Sequence, residues 1–245
     1  MRYLVLSDLH ANLQAVDAVL ADAAAVGYDQ VLVLGDLVGY GADPEAVIDR
    51  TLALEPVALI RGNHDKVCAG LEPTMLFSDV ARAAAEWTLA TLPRARKEQL
   101  ARLPTGPWPV TDALEICHGT PFDEDYYLVD ERDAERAFDA TAANICLFGH
   151  THIPAVFLTA APVRDAPGGL REDEVALPRT ARALINVGSV GQPRDGDPRA
   201  AYGVLDVDRR VLRLRRVAYD IAEAQRRILH AGLPRSLAAR LALGQ

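Results

Sequence analysis

The sequence predicts an α/β protein built from two packed β-sheets with helices outside. Three observations carry this. In roughly the first sixty residues, short apolar runs alternate with helix-period segments, the pattern of parallel strands covered by helices. From Ala113 onward the runs follow one another with one clear helical interruption. Half the residues are hydrophobic and 24% are charged, an ordinary globular balance that excludes a disordered chain.

The first three strands are predicted at Tyr3–Leu6, Val31–Leu34 and Val57–Ile60, each closed by turn residues: Ser7-Asp8, Gly35-Asp36 and Arg61-Gly62-Asn63. Leu13, Val16, Val19, Leu20 and Ala23 recur at the helical period between the first two. Pro44 suits a first helical turn and Asp43 an N-cap, opening a helix over Glu45–Leu54. A longer helix is expected over Ser78–Thr91. The prolines at 93, 104, 107 and 109 then suggest a loop around a short helix rather than a domain linker. Strands are expected at Ala113–Cys117, Ile145–Phe148, Val156–Leu158, Ala183–Val187, Tyr202–Val207 and Val211–Val217, with a helix near Glu131–Asp139. The polar stretch Pro162–Pro178 reads as a surface hairpin or mobile loop. Ile221–Leu243 is helical with a break at Gly232-Leu233-Pro234. The chain is taken as one domain over 1–245 with a helical tail from about 220 to 245.

Composition narrows the function. Lys and Arg total 26 against 34 Asp and Glu, a net charge of −8 that argues against stable nucleic-acid binding. Three cysteines without a CxxC spacing give no disulfide framework. No secretory signal or membrane span is evident, so a cytoplasmic protein is expected.

The histidines say more. Five of the six, His10, His64, His118, His150 and His152, fall just past a predicted strand. Ligands of open α/β sheets bind outside the carboxyl ends of the strands. In extended backbone, residues i and i+2 point the same way, so Asp8 with His10, and His150 with His152, could each grip one ion. Imidazole and oxygen donors without thiolate suit manganese, iron, zinc, cobalt or nickel better than magnesium or calcium alone. Seven candidate ligands (Asp8, His10, Asp36, Asn63, His118, His150 and His152) are too many for one tetrahedral ion and about right for two sharing a carboxylate. Two divalent ions, two carboxylates and a bridging hydroxide would leave a charge of about +1, which attracts phosphate.

In order, Asp8-x-His10, Gly35-Asp36-x-x-Gly39, Gly62-Asn63-His64-Asp65, His118 and Gly149-His150-x-His152 resemble the calcineurin-like metallophosphoesterases, small bacterial branch. The resemblance implies a four-layer α/β/β/α sandwich of two mixed sheets flanked by helices. It implies Asp8, His10 and His152 on a first ion, Asn63, His118 and His150 on a second, and Asp36 bridging. A hydroxide between the ions would attack phosphorus, and His64 would act as general acid. Asp65 would orient or charge His64, and Arg61 would contact phosphate oxygens. The expected function is hydrolysis of a small phosphomonoester or phosphodiester. The alternatives are a nuclease, a cyclic-nucleotide phosphodiesterase, or a non-catalytic metal-binding scaffold on the same fold.

Bland readings stand beside these. Asp65 serves equally as a helix cap, and Asn12 reads better as a cap than as a substrate contact. Arg194 reads first, and Arg61 equally well, as a solvated or salt-bridged side chain. Asn186–Gly191 reads as a structural strand end near the site. Cys68, Cys117 and Cys146 read as small buried residues, and Trp87 and Trp108 as packing. The Arg209–Arg216 stretch reads as a strand with a solvated face, and His230 as surface.

Overall fold

The computed structural model describes residues 1–159 and 174–245. Most of the stretch expected as a hairpin or loop, residues 162–173, lies outside the described residues.

The first sheet is built on β1 (Arg2–Leu6), β2 (Gln30–Val33) and β3 (Ala58–Leu59), which are parallel, as the alternation with α1 (Leu13–Val26) and α2 (Pro44–Leu52) requires. After β3 come α3 (Asn63–Cys68), a single 3-10 turn at Thr74–Leu76, α4 (Asp79–Thr91) and α5 (Arg94–Ala101). The second sheet contains β4 (Trp108–Thr111), β5 (Leu114–Ile116), β6 (Ile145–Phe148), β7 (Ala155–Leu158) and β9 (Ala183–Asn186), in the order β4-β5-β6-β9-β7. Helix α6 (Glu131–Ala140) joins β5 to β6. The chain then returns to the first sheet. β10 (Ala200–Asp206) pairs antiparallel with β1, β11 (Val211–Val217) follows, and β8 (Glu174–Ala176) closes the order β3-β2-β1-β10-β11-β8.

The layers follow from side-chain alternation. In β1, Leu4 and Leu6 join a core with α1 and α2, while Tyr3 and Val5 join a core between the sheets. In β6, Ile145 and Leu147 face that inner core, while Cys146 and Phe148 pack with Ala134 and Ala137 of α6. Strands with both faces covered need no polar face, which is why they read as unbroken apolar runs. The architecture is helix, sheet, sheet, helix, with both sheets mixed.

Two departures from expectation have local causes. Asp43 precedes Pro44 at the start of α2 but makes no side-chain cap; its carboxylate pairs with Arg227 instead. Arg227 lies on α7 (Ile221–His230), which packs on α1 and on α8 (Arg235–Leu241). These C-terminal helices share an apolar cluster with Ala84 and Trp87 of α4 and with Tyr40. The arginines near β11 are engaged: Arg213 with Glu174, Arg215 with Asp22, and Arg216 with Asp195 in a buried pair. Among the described residues, no helix is long and apolar enough to cross a membrane.

Candidate metal centre

The candidate ligands leave the carboxyl ends of β1, β2, β3, β5 and β6, so strands of both sheets open onto one place. All but Asn63 are buried. Two groups of ligand atoms form there: Asp8, His10, Asp36 and His152 in one, Asp36, His118 and His150 in the other. Asp36 belongs to both. Asn63 joins the second group, its Oδ1 lying 3.1 Å from His118 Nε2.

The backbone reaches this arrangement by an unfavourable route. Asp8, His10, Asp36, His150 and His152 have φ of 53°, 47°, 54°, 67° and 61°. This left-handed region costs a non-glycine residue roughly 1–2 kcal/mol. The residues are therefore not extended and the i, i+2 geometry does not apply, although Asp8 and His10 do share one ligand group. His150 and His152 fall into different ligand groups, not one. Strain of this kind persists where surrounding structure over-determines it.

Hydrogen bonds set the tautomers. His10 Nδ1 donates to the Val38 carbonyl at 3.1 Å, His118 Nδ1 to Leu34 at 2.8 Å and His152 Nδ1 to Gln192 at 2.6 Å. In the neutral ring each Nε2 is then a lone-pair donor aimed inward. His150 is turned the other way: its Nε2 meets the Asp125 carbonyl at 3.1 Å, leaving Nδ1 for an ion. The consequence is a clash of like groups. His10 and His152 point their Nε2 atoms at each other across 3.1 Å. Asp36 Oδ2 has no hydrogen-bond partner although it is buried, and lies 3.5 Å from His10 Nε2 and 3.4 Å from His118 Nε2. Asp8 Oδ1 is 3.3 Å from His152 Nε2. Acceptors converging on acceptors in a buried site are stabilised by cations, and this donor set fits divalent metal ions.

Electrostatics agree. Burial holds His10 and His152 well below the usual imidazole range and His150 down to about 3, so all three stay neutral. Burial also opposes charge on His118, yet Asp36 and Asp8 lift it to about 10. The field that holds a proton there would equally hold a metal cation. Burial, with the Asp36 charge, raises Asp8 to about 6.

Glycines admit the groups that meet. Gly39 has a φ of +87°, and a Cβ there would lie 2.3 Å from His64 Nδ1. A Cβ on Gly62 would lie 2.1 Å from Asp36 Oδ1, which accepts from the His64 N–H at 2.9 Å. The Asn186–Gly191 loop buttresses the same place. Asn186 Nδ2 donates to the Gly149 carbonyl at 2.8 Å, and Ser189 Oγ to the Asp8 carbonyl at 2.8 Å. Asn12 caps α1 through Ala15 N–H.

The three expected catalytic residues sit differently. His64 lines a cavity of about 320 Å³ between Tyr40, Phe77, Tyr127 and His150. Its Nδ1 is buried without a partner, and burial lowers its proton affinity to about 4. The Asp65 carboxylate is spent on backbone groups instead of on that ring. It accepts from the N–H groups of Gly62 at 3.0 Å and Val38 at 3.2 Å, so it caps α3 and ties the Asp36 loop to it. Arg61 does not present a free fork: Nε and Nη2 both donate to Glu124, at 3.2 and 3.0 Å. Glu124 also holds buried Lys66, which reaches Glu72 and Asp125 as well.

The sequence motifs do not describe the aromatic walls. Tyr127 stacks on His150 at 3.8 Å, while Tyr40 and Phe77 lie 4.3 and 4.6 Å from the His64 ring. None of the three falls within a motif. Of the cysteines, Cys117 and Cys146 lie with their sulfurs 3.6 Å apart on the α6 side, away from the ligands.

Comparison with known proteins now adds an independent line. A model of the calcineurin-like phosphoesterase superfamily domain matches residues 1–210. An uncharacterized protein, MJ0912 of Methanocaldococcus jannaschii, is 32% identical over 98% of this chain and 97% of its own length. The phosphodiesterase YfcE of Escherichia coli K12 is 25% identical over 85% of this chain and 89% of its own. The crystal structure of a metallophosphoesterase from Sphaerobacter thermophilus superposes with a TM-score of 0.87 at 35% identity, covering both chains completely.

Proposed function

Since the chain belongs to the calcineurin-like phosphoesterase superfamily and is a metal-dependent phosphoesterase, we propose that it hydrolyses small phosphate mono- or diesters at a dinuclear centre. The observation that carries the two-ion reading is the sharing of Asp36 by two ligand groups. Asp8, His10 and His152 would hold one ion and Asn63, His118 and His150 the other, manganese being the first candidate and iron, zinc, nickel or cobalt the next. Bound ions would supply Lewis acidity toward the phosphoryl oxygens and a water nucleophile of lowered pKa.

The chain's own groups do the rest. The Nδ1–H bonds to Val38, Leu34 and Gln192 keep three imidazoles oriented, so no reorganisation is needed when charge develops. His64 faces the cavity and is the group placed to give a proton to a leaving oxygen. The free ring is neutral at pH 7; a phosphate ester arriving beside it would bring the negative charge that raises its proton affinity. Asp65 holds the backbone that carries His64, and Arg61 positions the Glu124 loop rather than the phosphate. Tyr40, Phe77 and Tyr127 would wall the alcohol part of the ester and exclude water.

The similarity to YfcE makes a diester the first substrate to try. The engagement of Arg213, Arg215 and Arg216 with acidic partners argues against a nuclease tracking a long strand. Three free, buried thiols suit a cytoplasmic setting. We test the reading with metal-stripped protein given Mn, Ni, Co, Zn or Mg in turn, on p-nitrophenyl phosphate and bis-p-nitrophenyl phosphate. Metal-dependent turnover with two ions per chain is expected. Two ions bound with no turnover of any ester would move the chain to a non-catalytic scaffold.

A further inference from the structure

Several arginines of this acidic chain find carboxylates: Arg61 has Glu124, Arg199 has Asp197, Arg216 has Asp195 and Arg227 has Asp43. Two arginines beside the candidate metal centre do not. Arg194 donates through Nε and Nη2 to Gln192 Oε1 at 3.3 and 3.0 Å, and its Nη2 lies 3.4 Å from the Tyr40 hydroxyl. Arg240, on α8, donates through Nε to the oxygen of Gln245. Among the described residues, neither meets a side-chain carboxylate. Both lean on one ring: the guanidinium carbons lie 5.7 Å (Arg194) and 6.0 Å (Arg240) from the Tyr40 centroid.

That ring is part of the site. Its centroid is 4.6 Å from His10 and 4.3 Å from His64. Tyr40 is itself held at a φ of 59°. Arg194 is pinned to the ligand loop by its N–H, which meets the His152 carbonyl at 3.3 Å. Leu241, next to Arg240, lines the same small cavity as His10, Tyr40 and Gln192. Like charges brought together repel; burial and the Arg194 charge both pull the Arg240 guanidinium below its ordinary proton affinity. An anion between the two forks would reverse that repulsion, and planar guanidinium forks match phosphate oxygens.

We propose that Arg194 and Arg240 form an anion subsite one aromatic ring away from the metal centre, selecting phosphate esters that carry a second phosphate group. The proposal rests on the phosphoesterase reading for its substrate, though not for the existence of the subsite. It assigns a recognition role to α8, which lies beyond the residues matched by the family model.

The test compares AMP with adenosine 3′,5′-bisphosphate on the manganese-loaded protein. The wild type should prefer the bisphosphate at least tenfold in kcat/KM. In R194Q/R240Q the preference should fall toward one, chiefly through the KM of the bisphosphate. R235Q, at the exposed start of α8, should keep the wild-type ratio, and R240Q alone reads the subsite should R194Q fail to fold. No preference in the wild type, or one unchanged in the double variant, overturns the proposal. Should the wild type turn over no ester, the phosphoesterase reading fails separately. The subsite is then read by calorimetry with methylenebisphosphonate: binding at least tenfold weaker in the double variant supports it, and equal binding sinks it.

Discussion

Asp36→Asn separates a shared ligand from an ordinary buried carboxylate. Oδ1 accepts from the His64 N–H at 2.9 Å, so the amide oxygen must take that position. The amide nitrogen then replaces Oδ2, 3.5 Å from His10 Nε2 and 3.4 Å from His118 Nε2, and turns a lone pair into donors aimed at both. Without metal the exchange is nearly isosteric, and unfolding should move by no more than about 1.5 kcal/mol. With metal the change is far larger. An ion present at 100 times its Kd stabilises by about 2.7 kcal/mol, so two contribute about 5 kcal/mol. For a chain of this size that is a rise in Tm of roughly 10–20 °C. The wild type should show this rise on adding Mn²⁺ and hold two ions per chain by elemental analysis. The variant should show almost none of it and hold less than one. Loss of a single ion with wild-type turnover would refute the sharing of Asp36; two ions with the full rise in Tm would refute any role for it.

Three further outcomes are expected. Gly39→Ala puts a Cβ 2.3 Å from His64 Nδ1 at a φ of +87°, so alkyl phosphate turnover should fall about 100-fold with two ions still bound; an unchanged rate would show that His64 placement is irrelevant. His64→Ala should slow alkyl esters by roughly 10²–10⁴ but p-nitrophenyl esters less than tenfold, because nitrophenolate leaves without a proton; equal losses would remove the general acid. Glu124→Gln takes the carboxylate from Arg61 and leaves Lys66 only Glu72 and Asp125, and should cost about 1–2 kcal/mol at pH 7 by chemical denaturation. Burial works against charge on Glu124, but Arg61 and Lys66 more than compensate and lower its pKa, so its contribution is present above the ordinary glutamate value and lost as pH falls through the lowered one. The gap between variant and wild type should therefore narrow in acid, and a gap that widens there would contradict the ion-pair account.

What could be read in advance divides along physical lines. β1, β2 and β6 were legible because burial on both faces leaves short apolar runs that turn residues close. α3 was not: Asn63–Cys68 is too short to show a period, and its Gly-Asn start looks like any turn. β4 and β8 are short strands at the sheet edges, one carrying Pro109, and edges carry a weak pattern. The ligands were legible because a metal site needs particular donor atoms, and few side chains supply them. Their conformation was not, since nothing in the letters Asp8 or His150 signals a positive φ. Nor were the groups that fix the tautomers, because Val38, Leu34 and Gln192 act through carbonyls that any residue would provide. Arg61 shows the same limit from the other side. Its fork suits phosphate in isolation, and only the fold reveals that Glu124, 63 residues away in sequence, already holds it. The atoms that define the reaction are therefore few and named by type, whereas the surroundings that choose the substrate are drawn from ordinary residues. Tyr127 and Arg240 acquire meaning only when a loop and a terminal helix bring them to the centre, so variation among relatives in substrate should track those segments and leave the ligands alone.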